Sequence, residues 1–356
     1  MVMITQEMIK LFQKSLEEID EPFKIALEAI TMSCHFDFQN MHQGFRTETL
    51  VRFLKARDGN ISKARQMSPL LTDSAQHAQL LDCLDWRIRS DIDIILSKPI
   101  LPTDLYRRVR DTQLIGMSGY SKEGLPVIAV GVGLSTYDEP SVNSYVQSHI
   151  QINEFRDRVI MPFASKKFGR NISTCLKILD MTGLKFSALN HIKLLTVIST
   201  IDDLNYPEKT DTYYIVNAPY IFSACWKVVK PLLQERTRKK IQVLPGCGRD
   251  DLLKVMDYAS LPHFCRREGS GSSRHSRNGT TDNCFSLDHA FHQQLYNYIK
   301  QQAALTKSSA PVKQGSFHVD FPEPAPGDTK IAETIESELQ RLGNQNGLRN
   351  LKINGD

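Results

Sequence analysis

Several absences narrow the reading of this 356-residue chain before any motif is considered. An excess of one charge is missing: 44 Lys plus Arg stand against 40 Asp plus Glu, leaving a formal +4. A nucleic-acid-binding domain is normally dominated by basic charge, so that class is disfavoured. No apolar run approaches the roughly 20 residues of a bilayer-spanning helix; the uncharged run 212–226 is interrupted by Pro219. Seven scattered cysteines, odd in number and without a Cys-x-x-Cys pair, point to free thiols rather than a disulfide or zinc framework. The start, Met1-Val-Met-Ile, offers neither the basic nor the apolar region of a secretory leader, and Val2 and residues 353–356 fit no lipidation box. A soluble cytoplasmic protein is expected.

What is present has ordinary globular composition, with 41% apolar and 24% charged residues, and a length suited to about two domains. Residues 1–100 read as a helical lobe. Met8, Leu11, Phe12, Leu16 and Ile19 make one apolar stripe, further helices are expected at 49–57 and from Ile61, and another carries Leu80, Leu84, Trp86 and Ile88. From Leu114 short β-rich runs take over. Strands at 127–132, 175–180, 213–217 and 241–244, with helices near 188–199, 220–233 and 250–258 after the later ones, predict an α/β domain over 101–267 with a mostly parallel mixed sheet. Residues 268–356 read as a flexible linker and C-terminal extension, with one further helix near 284–300 and a short amphipathic one through Ile331, Ile335, Leu339 and Leu342.

Catalytic motifs fail on inspection. Gly116-Met-Ser-Gly-Tyr120 lacks the last glycine of a nucleophile elbow. The clusters 129–133 and 245–248 complete neither a dinucleotide fingerprint nor a phosphate-binding loop. Asp202 and Asp203 are adjacent on a helix end, point apart, and read as a solvated terminus. No metal site, cofactor or catalytic residue is predicted. Two features remain. Ile221, Ala224, Val228 and Leu232 repeat at helical spacing, widened by Phe222, Cys225 and Val229, which suits either a core helix or one covering a lipid-sized cavity. Arg236-Thr-Arg-Lys-Lys240 follows directly, and an apolar helix beside a basic cluster suits contact with anionic headgroups.

Three stretches then carry a specific resemblance. Leu50-Val-Arg-Phe-Leu-Lys-Ala-Arg57 with Ile61-Ser-Lys-Ala-Arg65, Ile178-Leu-Asp-Met-Thr-Gly-Leu184, and Asn205-Tyr-Pro-Glu-Lys209 with Tyr214-Ile-Val-Asn-Ala-Pro219 and Lys230-Pro-Leu-Leu233 resemble the CRAL-TRIO lipid-binding family over residues 45–265, within it the phosphatidylinositol-transfer subgroup. The resemblance implies a sheet that floors a lipid cavity, a gate helix over about 220–233 bearing Phe222, Cys225 and Val229, and a non-catalytic carrier of phosphatidylinositol. It places the headgroup at Arg57, Glu208, Thr237 and Lys240. It also implies transient contact with anionic membranes, a lipid kinase as possible beneficiary, and roles in phosphoinositide signalling and vesicle trafficking; a monomer is expected. A carrier of a neutral tocopherol-like or retinoid-like ligand, or an interaction module with a vestigial cavity, are the alternatives.

The positions that hold choline in fungal members read Ile128, Asn153, Cys175 and Lys177 here. An ammonium repels choline, and the aromatic faces that attract it are missing. Lys177 is therefore expected to meet an internal carboxylate or an anionic phosphate. Extra stretches at 26–37 and 68–79 depart from the family pattern.

Overall fold

The computed structural model describes residues 3–15, 45–56, 59–60, 79–138, 141–185, 191–233, 235–266, 282–307 and 326–353. Arg57 and nearly all of the two extra stretches lie outside these residues. Three helices, α1 (Gln6–Ser15), α2 (Phe45–Ala56) and α3 (Gln79–Arg89), enclose a small core of Ile9, Phe12, Leu50, Phe53, Leu54, Leu80 and Leu84. The inner seam of α1 runs through Ile9 and Phe12; Leu11, expected on the stripe, is exposed. Helix α3 joins the lobe to the larger core, because Leu80, Cys83 and Leu84 face the first while Trp86 packs in the second.

After a 3₁₀ turn (Ile92–Ser97) and helix α4 (Thr103–Thr112), the chain enters a five-stranded sheet: β1 (Ile115–Tyr120), β2 (Pro126–Gly131), β3 (Cys175–Asp180), β4 (Thr210–Val216) and β5 (Ile241–Val243). The strands lie in sequence order; β1 and β2 are antiparallel and the remaining pairs parallel. Parallel neighbours require crossovers. Helix α5 (Val142–Phe155) continues through a π-turn (Arg156–Ile160) into α6 (Met161–Phe168) between β2 and β3, and α7 (Ile192–Asn205) crosses from β3 to β4. Helices α8 (Tyr220–Val229) and α9 (Glu235–Lys240) connect β4 to β5, and α10 (Arg249–Val255) and α11 (His263–Arg266) follow. This is the expected α/β arrangement.

Both sheet faces are covered, so the inner strands are apolar nearly throughout. Val127, Ala129, Leu176, Ile178 and Val216 pack with Leu252, Met256 and Phe264 on one side. On the other, Met117, Ile128 and Cys175 meet Tyr145, Ile150, Phe155 and Ile201. Register aligns Met117, Ile128, Lys177, Tyr213 and Ile241 across the sheet on that second face.

The segment assigned to the extension contributes more than expected. Helix α12 (Ala290–Lys307) buries Phe291, Leu295 and Ile299 in the second core. A Cβ at Gly116 would run into the Cys284 carbonyl, so β1 accepts this segment only at a glycine. Buried Arg110 donates to His292 Nδ1 at 2.9 Å, and His292 Nε2 donates to the Cys284 carbonyl at 2.9 Å. Burial and then Arg110 hold the imidazole well below its ordinary pKa, so it is neutral here. Residues 282–307 therefore belong to the α/β core. Helix α13 (Pro326–Ile353) packs on α8 and α7, with Leu339 and Leu342 buried.

Candidate functional site

Two charged clusters lie on the elements singled out by the sequence. The first is at the rim, where β4 begins. Glu208 sits in the turn between α7 and β4 with φ of 58°, a left-handed conformation uncommon outside glycine. Lys240, at the end of α9, donates through Nζ to Glu208 Oε2 at 2.6 Å and to the Thr210 carbonyl at 3.1 Å. Thr237 is half-buried three residues earlier on the same short helix. Arg236 adds a second base: its Nη1 lies 3.5 Å from Glu208 Oε1 and donates to the Lys55 carbonyl at 3.2 Å. The end of α2, two residues before Arg57, is thereby fastened to this rim.

Of the four expected headgroup residues, the structure brings Glu208 and Lys240 into contact and sets Thr237 beside them. Arg57 is outside the described residues. Arg236, read in the sequence only as part of the basic cluster 236–240, joins Glu208 as well, since it stands one helical turn before Lys240 and so shares its face.

The second cluster is internal and centres on Asp202. Its Oδ1 accepts from His149 Nε2 at 2.7 Å and Asn153 Nδ2 at 2.8 Å, and its Oδ2 from Lys177 Nζ at 3.2 Å. Asn153 Oδ1 accepts from Arg156 Nη1 at 2.9 Å; Arg156 also pairs with Asp157, and Asp157 with Lys209 at 3.0 Å. Burial opposes charge on both Asp202 and Lys177. His149 and Lys177 nevertheless hold the carboxyl well below its ordinary value, and Asp202 holds the ammonium above its own. Asp202 is thus no solvated helix terminus: the last turns of α7 aim it at β3, while Asp203 remains exposed.

The four second-headgroup positions share this region. Ile128 and Cys175 are buried in the sheet-face core, with Ile128 paired in register to Lys177; the Cys175 thiol donates to the Lys209 carbonyl at 3.5 Å. Lys177 meets an internal carboxylate, the first of the two outcomes expected for it.

A neighbouring group extends the internal network. Glu154 accepts from Arg87 Nη1 at 2.8 Å, Arg158 Nε at 2.8 Å and Tyr206 Oη at 2.7 Å. Burial alone would raise the Glu154 carboxyl, but Arg87 and then Arg158 bring it down to about 2.

Beyond the rim, Phe222 stacks on Trp226 of α8 with ring centroids 6.0 Å apart, and Cys225 and Val229 are buried. The principal packed partner of α8 is α13 rather than the sheet. Exposed Lys227 on α8 and Lys230 just after it are basic, as are Arg238 and Lys239 on α9. Among the described residues no helix is long and apolar enough to cross a membrane.

Comparison with known proteins places this architecture. A family model described as the CRAL/TRIO domain matches residues 110–265. The chain is 28% identical over 233 residues to the phosphatidylinositol/phosphatidylcholine transfer protein SFH9 of Arabidopsis thaliana, covering 62% of this chain and 38% of that protein. It is 30% identical over 247 residues to SFH13 of the same plant, covering 66% and 37%. With the SEC14 cytosolic factor of Eremothecium gossypii it shares 26% identity over 221 residues, 60% of this chain and 67% of that one. The crystal structure of Sfh5 has the same fold, with a TM-score of 0.53 at 19% identity, covering 85% of this chain and 99% of that one. The matched region spans less than two fifths of the length of the two plant relatives. Residues 110–265 are a CRAL/TRIO domain.

Proposed function

We propose that this chain is a non-catalytic lipid-transfer or lipid-presenting protein that takes phosphatidylinositol and exchanges it at anionic membrane surfaces. The observation that carries this reading is the Glu208–Lys240–Arg236 cluster at the rim, next to a helix packed mainly away from the sheet. Lys240 and Arg57 neutralise the phosphodiester by charge-assisted bonds, Glu208 accepts inositol hydroxyls, and Thr237 supplies a small donor. The names of the SFH and SEC14 relatives support the lipid class. A neutral tocopherol-like or retinoid-like ligand would bring no phosphate to the two bases and leave them on Glu208.

The acyl chains lie between the sheet and α8. Exposing them to water costs about 0.8 kcal/mol per CH₂, so transport requires enclosure. Half-buried Ile221, Phe222 and Trp226 on α8, and Leu195 and Ile198 on α7, are apolar side chains not yet fully covered. Opening of α8 as a gate is favoured at a membrane, where its apolar face meets lipid instead of water. Exposed Lys227, Lys230, Arg238 and Lys239 draw that face toward anionic headgroups. The protein then works as a cytoplasmic monomer, peripheral to membranes, and hands its lipid to a kinase or to a second bilayer. Because Lys177 is committed to Asp202 and no aromatic stands at Ile128 or Asn153, phosphatidylcholine is a poor ligand. Mass spectrometry of lipid extracted from the purified protein tests the reading: phosphatidylinositol is expected, and a neutral isoprenoid in its place would refute it.

A further inference from the structure

The helix at the far end of the chain covers the helix that has to move. We propose that Pro326–Ile353 is a strap holding Tyr220–Val229 shut, so that lipid exchange requires its displacement. This rests on the reading of α8 as a gate. The strap lies across both α8 and α7. Its inward stripe is Ile331, Ile335, Leu339 and Leu342, at steps of four, four and three residues. Leu339 and Leu342 are each 6% exposed, and on the covered helix Cys225 and Val229 are 9% and 7% exposed. These apolar surfaces shield one another from water, so removing the strap uncovers a surface suited to lipid.

Charge makes the contact reversible. The strap's exposed Glu333 and Glu336 are matched by its exposed Lys330 and Arg341, whereas the exposed charge on the gate helix, Lys227, is basic. The strap packs on α7, and the negative charge of Asp328 at its beginning acts on exposed Asp203 near the end of α7. Like charges there work against docking, and the apolar stripe holds it. A strap under such opposition yields to a competing surface such as an anionic membrane.

The test uses the full chain. Leu339→Asp with Leu342→Asp should speed amide hydrogen exchange in α8 and raise phosphatidylinositol transfer between vesicles about tenfold. Asp328→Asn removes the like-charge contact and should do the reverse, protecting the α8 amides and slowing transfer. Wild-type amide exchange in α8 of the double variant, or faster transfer by Asp328→Asn, would overturn the strap. Should the double variant fail to fold, Asp328→Asn decides alone. A wild type that transfers no phosphatidylinositol would refute the proposed function, while amide exchange in α8 still decides whether the strap covers it.

Discussion

The rim and the interior use the same residue types to opposite ends. Inside, Glu154 and Arg87 have side chains only 4% exposed, and Arg156 has 3%. Glu154 accepts from Arg87, Arg158 and Tyr206. An unpaired charge in such a place costs several kcal/mol, and Glu154 is saturated by its own chain. At the rim, Glu208 and Lys240 are 18% and 26% exposed, and water can replace either partner. Such a pair contributes about 0–1 kcal/mol to stability. The contrast separates a scaffold from a site: interior charges cannot change partners without unfolding cost, whereas rim charges can pass theirs to a ligand.

Mutations sharpen the contrast, beginning with the largest effect on stability. Glu154→Ala leaves the Arg87 guanidinium buried without its main carboxylate and should cost about 3–5 kcal/mol in urea unfolding. The Glu154 carboxyl sits at about 2 when folded, below the 4.5 of the free group. Its contribution is therefore complete above about 4.5 and is lost as pH falls toward 2; the pH dependence of the urea midpoint reads this directly. Cys175→Ser with Lys177→Thr should cost less, about 1–2 kcal/mol, because Asp202 keeps His149 and Asn153. Phosphatidylcholine transfer by that variant should rise only partly, since Ile128 and Asn153 still offer no aromatic face. Efficient phosphatidylcholine transfer by the wild type would contradict this reading. Phe222→Asp loses the stack on Trp226 at a half-buried position and should cost about 1 kcal/mol while vesicle binding falls several-fold. A variant that unfolds outright would make α8 a core helix instead of a gate.

The alternation of β3 was legible because a strand's period of two needs no knowledge of its neighbours, and it put Cys175 and Lys177 on one face. The strand–Pro–helix passage through Pro219 was equally plain. Helix α5 was not, and its composition explains why. From Ser144 to Phe155 every residue is buried, including Gln147, His149, Gln151, Asn153 and Glu154. A helix buried all round with polar groups in the network shows no apolar stripe to find. Asp202 was misjudged for a related reason: its partners come from α5 and β3, 25 or more residues away. The packing of α12 depends in the same way on Arg110, 182 residues before His292. Local pattern identifies elements; it cannot pair buried charges across them.

The central claim, that the rim holds an inositol phosphate, has one direct test. Phosphatidylinositol transfer between vesicles is measured for the wild type and for Glu208→Ala with Lys240→Ala, alongside urea unfolding of both. Transfer should be abolished while stability changes by less than about 1 kcal/mol. A folded double variant that transfers phosphatidylinositol at the wild-type rate would contradict it.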